Sequence, residues 1–218
     1  MLKIHGFDIP QLLDEFLDPS RVALIVYDMQ IGIARQIKER ESVIANVTQL
    51  LAAARAARVR TFFTRHMSLP RELMGMMQYR TAMAWQRKCD PAEIQVPFLR
   101  ESPGFPIIPE LQPISSEAVF DKISMSAFEG TPLQMALRDC GVRAVVLAGI
   151  ALEIGIEPTV RHAADLGFVP ILAGDACGHG NPEAARRSIE SLQFAGDSII
   201  TETSHIASIW NRSAGGRI

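Results

Sequence analysis

Cysteine is scarce in this chain. Cys89, Cys140 and Cys177 are an odd number at irregular spacing, which makes neither a disulfide framework nor the paired pattern of a structural zinc site. Charge of one sign is lacking too: a formal net charge of −2 offers no basic field for nucleic acid. No apolar run approaches the roughly 20 residues that a membrane-crossing helix needs, and the opening MLKIHGFDIP has no signal-peptide core. Internal repeats and low-complexity blocks are missing as well. These absences lead to the expectation of a soluble, cytoplasmic protein with no metal or cofactor and no nucleic-acid or membrane partner. What is present is 218 residues of 48% hydrophobic composition, enough for a substantial core in one α/β domain spanning 1–218.

The most regular stretch is Arg143–Asp175, RAVVLAGIALEIGIEPTVRHAADLGFVPILAGD. Val145–Ala148, bounded by Gly149, reads as a strand buried on both faces. A short turn leads into a helix over Glu157–Leu166, with Arg161 and Asp165 four apart on its exposed side and Gly167 as its stop. Phe168–Ala173 begins a second buried strand. The result is a βαβ unit, whose crossover is right-handed. In such sheets ligands bind outside the carboxyl ends of the strands, so Gly149–Gly155 stands at the mouth of a site.

From the start of the chain, Asp8–Phe16 reads as a short helical lead-in, and Val22–Tyr27 (VALIVY) as a buried strand ending at Asp28-Met29-Gln30. Ser42–Arg58 carries Ile44, Val47, Leu50 and Leu51 at helical spacing. Val59–Thr64 is a second strand, delivering Arg65 and His66 to its carboxyl end. Residues 67–117, with Pro70, Pro91, Pro97 and a PGFPIIP run, read as an irregular excursion over the site with short helices. A short strand at Ala118–Phe120 precedes Asp121 and Lys122, and Thr131–Cys140 is a helix stopped by Gly141. Pro182–Phe194 (helix), Ser198–Thr201 (strand) and Ser204–Trp210 (helix) close the pattern before a Gly-rich tail.

Candidate chemistry is whatever follows the strands: Asp28, His66, Lys122, the Gly149–Gly155 turn and Asp175. Each has a plain structural reading, Asp28 as a cap or turn residue, His66 as a cleft wall, Lys122 as a surface charge, Asp175 as a loop holder. A Lys beside an Asp in a cleft is nonetheless the arrangement that perturbs both groups. The methionines between Met67 and Met83 read as packing within the excursion.

Taken together, several dispersed stretches resemble the isochorismatase-like, or cysteine hydrolase, family. They are Asp28-Met29-Gln30, PGFPIIPEL, Lys122 followed by Ser126-Ala127-Phe128, Gly149-Ile150-Ala151 and Gly174-Asp175-Ala176, in that order over about Val22–Thr203. The resemblance implies a three-layer α/β/α sandwich around a mostly parallel, six-stranded Rossmann-like sheet. It also implies a cis peptide at Ile150–Ala151 beside an oxyanion pocket, and a homodimer or homotetramer, for which the apolar excursion would offer a surface. Its catalytic positions fall on Asp28, Lys122 and Gly155, the last where cysteine-dependent members carry the nucleophile. Its substrate-binding positions fall on His66, Phe128, Ile150, Ala151, Leu152 and Glu153.

This chain departs from the pattern around the nucleophile. Gly155 has no side chain to attack with, and Leu152 replaces the usual Thr or Ser. True isochorismatases also carry Gly at this point and hydrolyse a vinyl ether by protonation and water. Their turn, however, reads Tyr-Ala-His where this one reads Ala151-Leu152-Glu153, and their Lys precedes Trp-Arg-Tyr rather than Ile123-Ser124-Met125. Three functions follow: a cysteine-free hydrolase of a small molecule with Asp28 as general acid, a non-catalytic small-molecule binder, or an amide hydrolase with Cys177 as a relocated thiol. Removal of the thiol is expected to leave room for a water, or for a larger substrate group, over the amides of Ala151–Gly155.

Overall fold

The computed structural model describes residues 1–215. Along the chain come strands β1 (Leu2–Ile4) and β2 (Phe7–Ile9), helix α1 (Leu13–Phe16), β3 (Val22–Tyr27), α2 (Ile31–Ala34), α3 (Arg40–Ala57) and β4 (Arg60–His66). They are followed by α4 (Met76–Gln86), β5 (Ala118–Lys122), α5 (Leu133–Asp139), β6 (Ala144–Ile150), α6 (Glu157–Asp165), β7 (Val169–Gly178), α7 (Pro182–Ala195), β8 (Ile199–Thr201) and α8 (Thr203–Gly215).

Six strands form one sheet in the order β5-β4-β3-β6-β7-β8, and every neighbouring pair is parallel. A parallel sheet must be covered on both faces, and the residues of β3 show how this is done. Val22, Leu24 and Val26 enter one buried cluster with α3 and α8, whereas Ala23, Ile25 and Tyr27 enter the other with α5, α6 and α7. Successive side chains on a strand point to opposite faces, so all six residues of β3 are buried. Tyr27 thereby faces α6. This is the expected three-layer α/β/α sandwich.

Chain order runs outward from β3 to β4 and β5 on one side and from β6 to β7 and β8 on the other. The reversal between β3 and β6 opens a crevice at their carboxyl ends. Asp28 and the Gly149–Gly155 turn both lie there. The excursion 67–117 contains α4 and three short 3-10 turns.

Some details differ from expectation. Asp8–Phe16 is not one helix. Phe7–Ile9 pairs with Leu2–Ile4 as a hairpin, because His5 and Gly6 both adopt positive φ (49° and 82°) and close a two-residue turn. Lys122 is the last residue of β5 rather than a residue beyond it. Arg161 pairs with Glu157, one turn earlier, and not with Asp165. Of the Gly-rich tail, Ala214 and Gly215 extend α8, while residues 216–218 lie outside the described residues.

Trp210 on α8 is fully buried, and its indole N–H donates to the carbonyl of Leu17 (3.2 Å). It fastens the last helix to the segment that enters β3. Trp210→Ala is expected to cost about 3–5 kcal/mol, read as a lower urea midpoint. A cost under about 1 kcal/mol would mean that α8 is not part of the cooperative core.

Candidate active site

Asp28 caps the carboxyl end of β3 in the left-handed region, at φ 46°. Its Oδ1 accepts from Thr64 Oγ1 (2.6 Å), and the same hydroxyl oxygen accepts the Asp28 amide (3.2 Å). Thr64 sits on the adjacent β4, one residue beyond the Val26–Phe63 pairing, and this register brings it alongside Asp28. Lys122, at the end of β5, reaches back past β4. Its Nζ donates to Asp28 Oδ2 (2.7 Å), Tyr27 Oη (2.8 Å) and the Ser124 carbonyl (3.1 Å). An ammonium has three protons, and here each has an acceptor. The Lys122 side chain is 0% exposed and that of Asp28 5%. A pair so far out of water persists only when its remaining valences are filled, as they are here.

After β6 the Ile150–Ala151 peptide is cis, and Leu152–Ile156 makes a π-helical turn. The Ala151 carbonyl accepts the amides of Ile154 (3.3 Å), Gly155 (3.0 Å) and Ile156 (3.1 Å), which draws Gly155 in over the end of β3. A Cβ on Gly155 would lie 2.0 Å from Tyr27 Oη and 2.5 Å from its Cζ. The space over the turn is therefore not open to water: the phenol fills it. Tyr27 Oη also donates to the Met125 carbonyl while accepting from Lys122. Burial first, then the charge of Asp28, pushes the Tyr27 phenol well above its ordinary range, so it stays protonated. Gly149 is constrained in the same way, at φ 137° with the Tyr27 carbonyl 2.0 Å from where its Cβ would be.

A cavity of about 540 Å³ opens above this cluster, with His66, Trp85, Phe98, Met125 and Glu153 among its walls. His66 is held there by Gln30, whose amide bonds the His66 N–H (2.6 Å) and carbonyl (3.0 Å) and also the Phe105 carbonyl (2.9 Å). Burial lowers the His66 pKa and Lys122 adds to this against the opposing charge of Asp28, which keeps the ring neutral at pH 7. Glu153 Oε1 accepts the amides of Gly180 (2.8 Å) and Asn181 (2.7 Å) at the entry to α7.

Of the residues read as substrate-binding, His66 and Glu153 line the cavity and the other four do not. Phe128 is buried between His162 and Phe168, Ile150 and Leu152 pack in the two cores, and the Ala151 carbonyl is occupied by the turn. The side chains of Phe128, Ile150 and Leu152 point into the protein. Asp175 lies within β7 rather than beyond it and holds the start of α8 rather than a loop, with Oδ1 accepting from the amide (2.8 Å) and hydroxyl (2.9 Å) of Thr203. Cys177 is half-buried on β7 with its thiol on the Ala173 carbonyl (3.2 Å), and burial drives its pKa up, the opposite of an activated nucleophile. Cys89 and Cys140 are exposed. Among the described residues no three His, Cys, Asp or Glu side chains converge as metal ligands would. Sequence reasoning passed over Tyr27, Thr64 and Gln30. The available signal was a single polar-tipped residue, Tyr27, in an otherwise aliphatic strand directly before Asp28.

A six-stranded parallel sheet with an Asp–Lys pair and a tight turn at its carboxyl edge defines an isochorismatase-like hydrolase fold. The chain belongs to the isochorismatase domain family, whose model matches residues 22–204. It is 28% identical over 185 residues to the ureidoacrylate amidohydrolase RutB of Serratia proteamaculans (strain 568), covering 78% of this chain and 75% of that one. It is 30% identical over 188 residues to YecD, an uncharacterized isochorismatase family protein of Escherichia coli O157:H7, covering 81% and 89%. Among solved structures it resembles a cysteine hydrolase from Pseudomonas syringae pv. phaseolicola 1448A at TM-score 0.76 and 24% identity, over 89% of this chain and 94% of that one.

Two outcomes follow from the geometry. Gly155→Ala should destabilise by about 3 kcal/mol through overpacking, and should cost at least ~1 kcal/mol less in a Tyr27→Val background, where the phenol it collides with is gone. Additive costs in urea denaturation would place the two residues apart. The second outcome concerns pH. An unfolded His66 takes up a proton as pH falls through about 6.5, whereas the folded one, with its lowered pKa, resists. Stability should thus decline below that pH, and His66→Gln should flatten this part of the melting-temperature profile; an unchanged slope would contradict a buried neutral ring.

Proposed function

We propose that this chain is a cysteine-independent hydrolase of the isochorismatase family, acting on a small molecule with Asp28 as general acid and Lys122 as its charge partner. The observation that carries the reading is the pairing of Tyr27 with Gly155. The place that the family resemblance assigns to a thiol is filled by a protonated phenol, while the Asp28–Lys122 pair stands intact at 2.7 Å. Of that pair, Asp28 is the member that keeps some exposure.

The chemistry needs no covalent intermediate. Asp28 gives a proton to the substrate, at the leaving heteroatom or, in a vinyl ether, at the vinyl carbon. Water adds to the carbon made electrophilic and loses a proton to the carboxylate. The adduct then breaks its bond to the leaving heteroatom, which takes a proton from Asp28 where it does not already carry one and departs as the alcohol or amine. The hydroxyl left on carbon becomes the carbonyl or carboxylic acid, and the Asp28 carboxyl group is restored. Lys122 holds the carboxylate in place through each change of charge. The raised pKa and carbonyl-bonded thiol of Cys177 speak against a relocated nucleophile.

A second reading, a non-catalytic binder, is favoured by one observation: Asp28 and Lys122 lie beneath the cavity rather than in its lining. A hydrolysis screen over vinyl ethers, ureas and primary amides separates the two. Turnover is expected to survive alkylation of the exposed Cys89 and Cys140 by iodoacetamide and to drop about 10²-fold or more in Asp28→Asn. Loss of activity on alkylation would overturn the cysteine-free mechanism. Binding without turnover across all three classes would favour the second reading.

A further inference from the structure

The cavity above the cluster has a one-sided charge pattern. Among the described residues its lining contains one carboxylate, Glu153, and no lysine or arginine. His66 is kept neutral by burial. Of the cations that adjoin the lining in sequence, Lys122 has its three bonds and Arg65 binds Asp121, as Arg100 does. Arg80 and Arg87 are exposed, on α4 and at its end, and are not among the lining residues. A carboxylate ligand would therefore meet a like charge with no cation in the lining itself to offset it.

The lining also has polar atoms that lack partners. Glu153 spends Oε1 on the two amides that open α7, but its Oε2 is buried without a hydrogen bond. Gln78 Oε1, on α4 in the same lining, is likewise buried and unpartnered. Buried acceptors in folded proteins are almost always satisfied, and a carboxylate oxygen accepts only, so what this wall lacks is a donor. Most of the remaining surface is apolar and polarizable, with Met77, Trp85, Phe98, Ile123 and Met125 around it beside a few neutral polar side chains such as Thr81 and Gln86. Such a surface suits a hydrocarbon or aromatic body, and an indole suits a cation. A volume of about 540 Å³ admits a small organic molecule.

We propose that this cavity binds a small molecule with an apolar body and a protonated amine, the amine facing the Glu153 carboxylate, and that Glu153 determines this specificity. The inference rests on the reading that the cavity is where the small-molecule substrate sits. Its test measures binding alone, so its outcome is separate from that of catalysis.

Isothermal titration of the full chain with three matched probes, 2-phenylethylamine, 3-phenylpropanamide and 3-phenylpropanoate, decides it. The amine should bind most tightly, the amide about tenfold more weakly, and the carboxylate not detectably at about 10 mM. Glu153→Gln keeps an oxygen for the α7 amides and removes the charge; it should weaken the amine about tenfold while changing the amide by less than about threefold. Carboxylate binding equal to that of the amine, no binding of the amine, or an amine affinity unchanged in Glu153→Gln would each overturn the proposal. Should Glu153→Gln fail to fold, the order of the three probes on the unaltered chain decides the question by itself. Amine binding without hydrolysis in any assay would leave this assignment standing and count only against the proposed activity.

Discussion

The carboxyl edge of the sheet depends on one ammonium group. Lys122 Nζ joins three groups at the ends of two strands, the carboxylate after β3, the phenol within β3 and the carbonyl of Ser124 beyond β5. Burying a lysine is unfavourable by several kcal/mol unless it is matched, and the match here is complete: one anion and two neutral oxygens for three protons. Thr64 and the left-handed backbone of Asp28 hold the anion in position. Truncating either member of the Asp28–Lys122 pair would strand a buried charge, which typically costs about 3–5 kcal/mol. The arrangement can thus persist as structure whether or not it performs chemistry, and the function has to be argued from what lies around it.

What lies around it is the contact between Tyr27 and Gly155. The π-helical turn brings residue 155 so close to the phenol that no side chain fits, and the phenol is fixed by a donor on one side and an acceptor on the other. These features are one device rather than two coincidences: glycine makes room for tyrosine, and tyrosine supplies the oxygen that Lys122 requires. The same packing closes off the space over the turn. It leaves the lysine-paired Asp28 carboxylate beneath a largely apolar cavity, with a neutral imidazole in the cavity wall.

Much of this was legible from the chain itself. The aliphatic runs of β3 and β6 predict strands buried on both faces, and the order of motifs places Asp28, Lys122 and the turn at one edge, because in a parallel sheet each residue that follows a strand must gather there. Register was not legible. The Val26–Phe63 pairing that puts Thr64 against Asp28, and the side-chain alternation that sends Tyr27 towards α6, are set by tertiary packing. The direction of Phe128, Ile150 and Leu152 into the core was likewise hidden, since an apolar residue near a site reads the same in sequence whether it lines the cavity or supports it. The hairpin at the N-terminus was missed for a local reason: His5 lies in the left-handed region that residues other than glycine seldom adopt.

The central claim is that Tyr27 is a sealed, protonated phenol in the place of a nucleophile. The chain has two tyrosines, so Tyr79→Phe leaves Tyr27 as the only phenol. Alkaline titration of that variant, following phenolate absorbance alongside circular dichroism, reads its protonation state directly. The account predicts no phenolate until the fold itself is lost, with both signals changing together. Reversible ionisation in the folded chain at or below pH ~10 would contradict it and identify Tyr27 as a lysine-activated group instead.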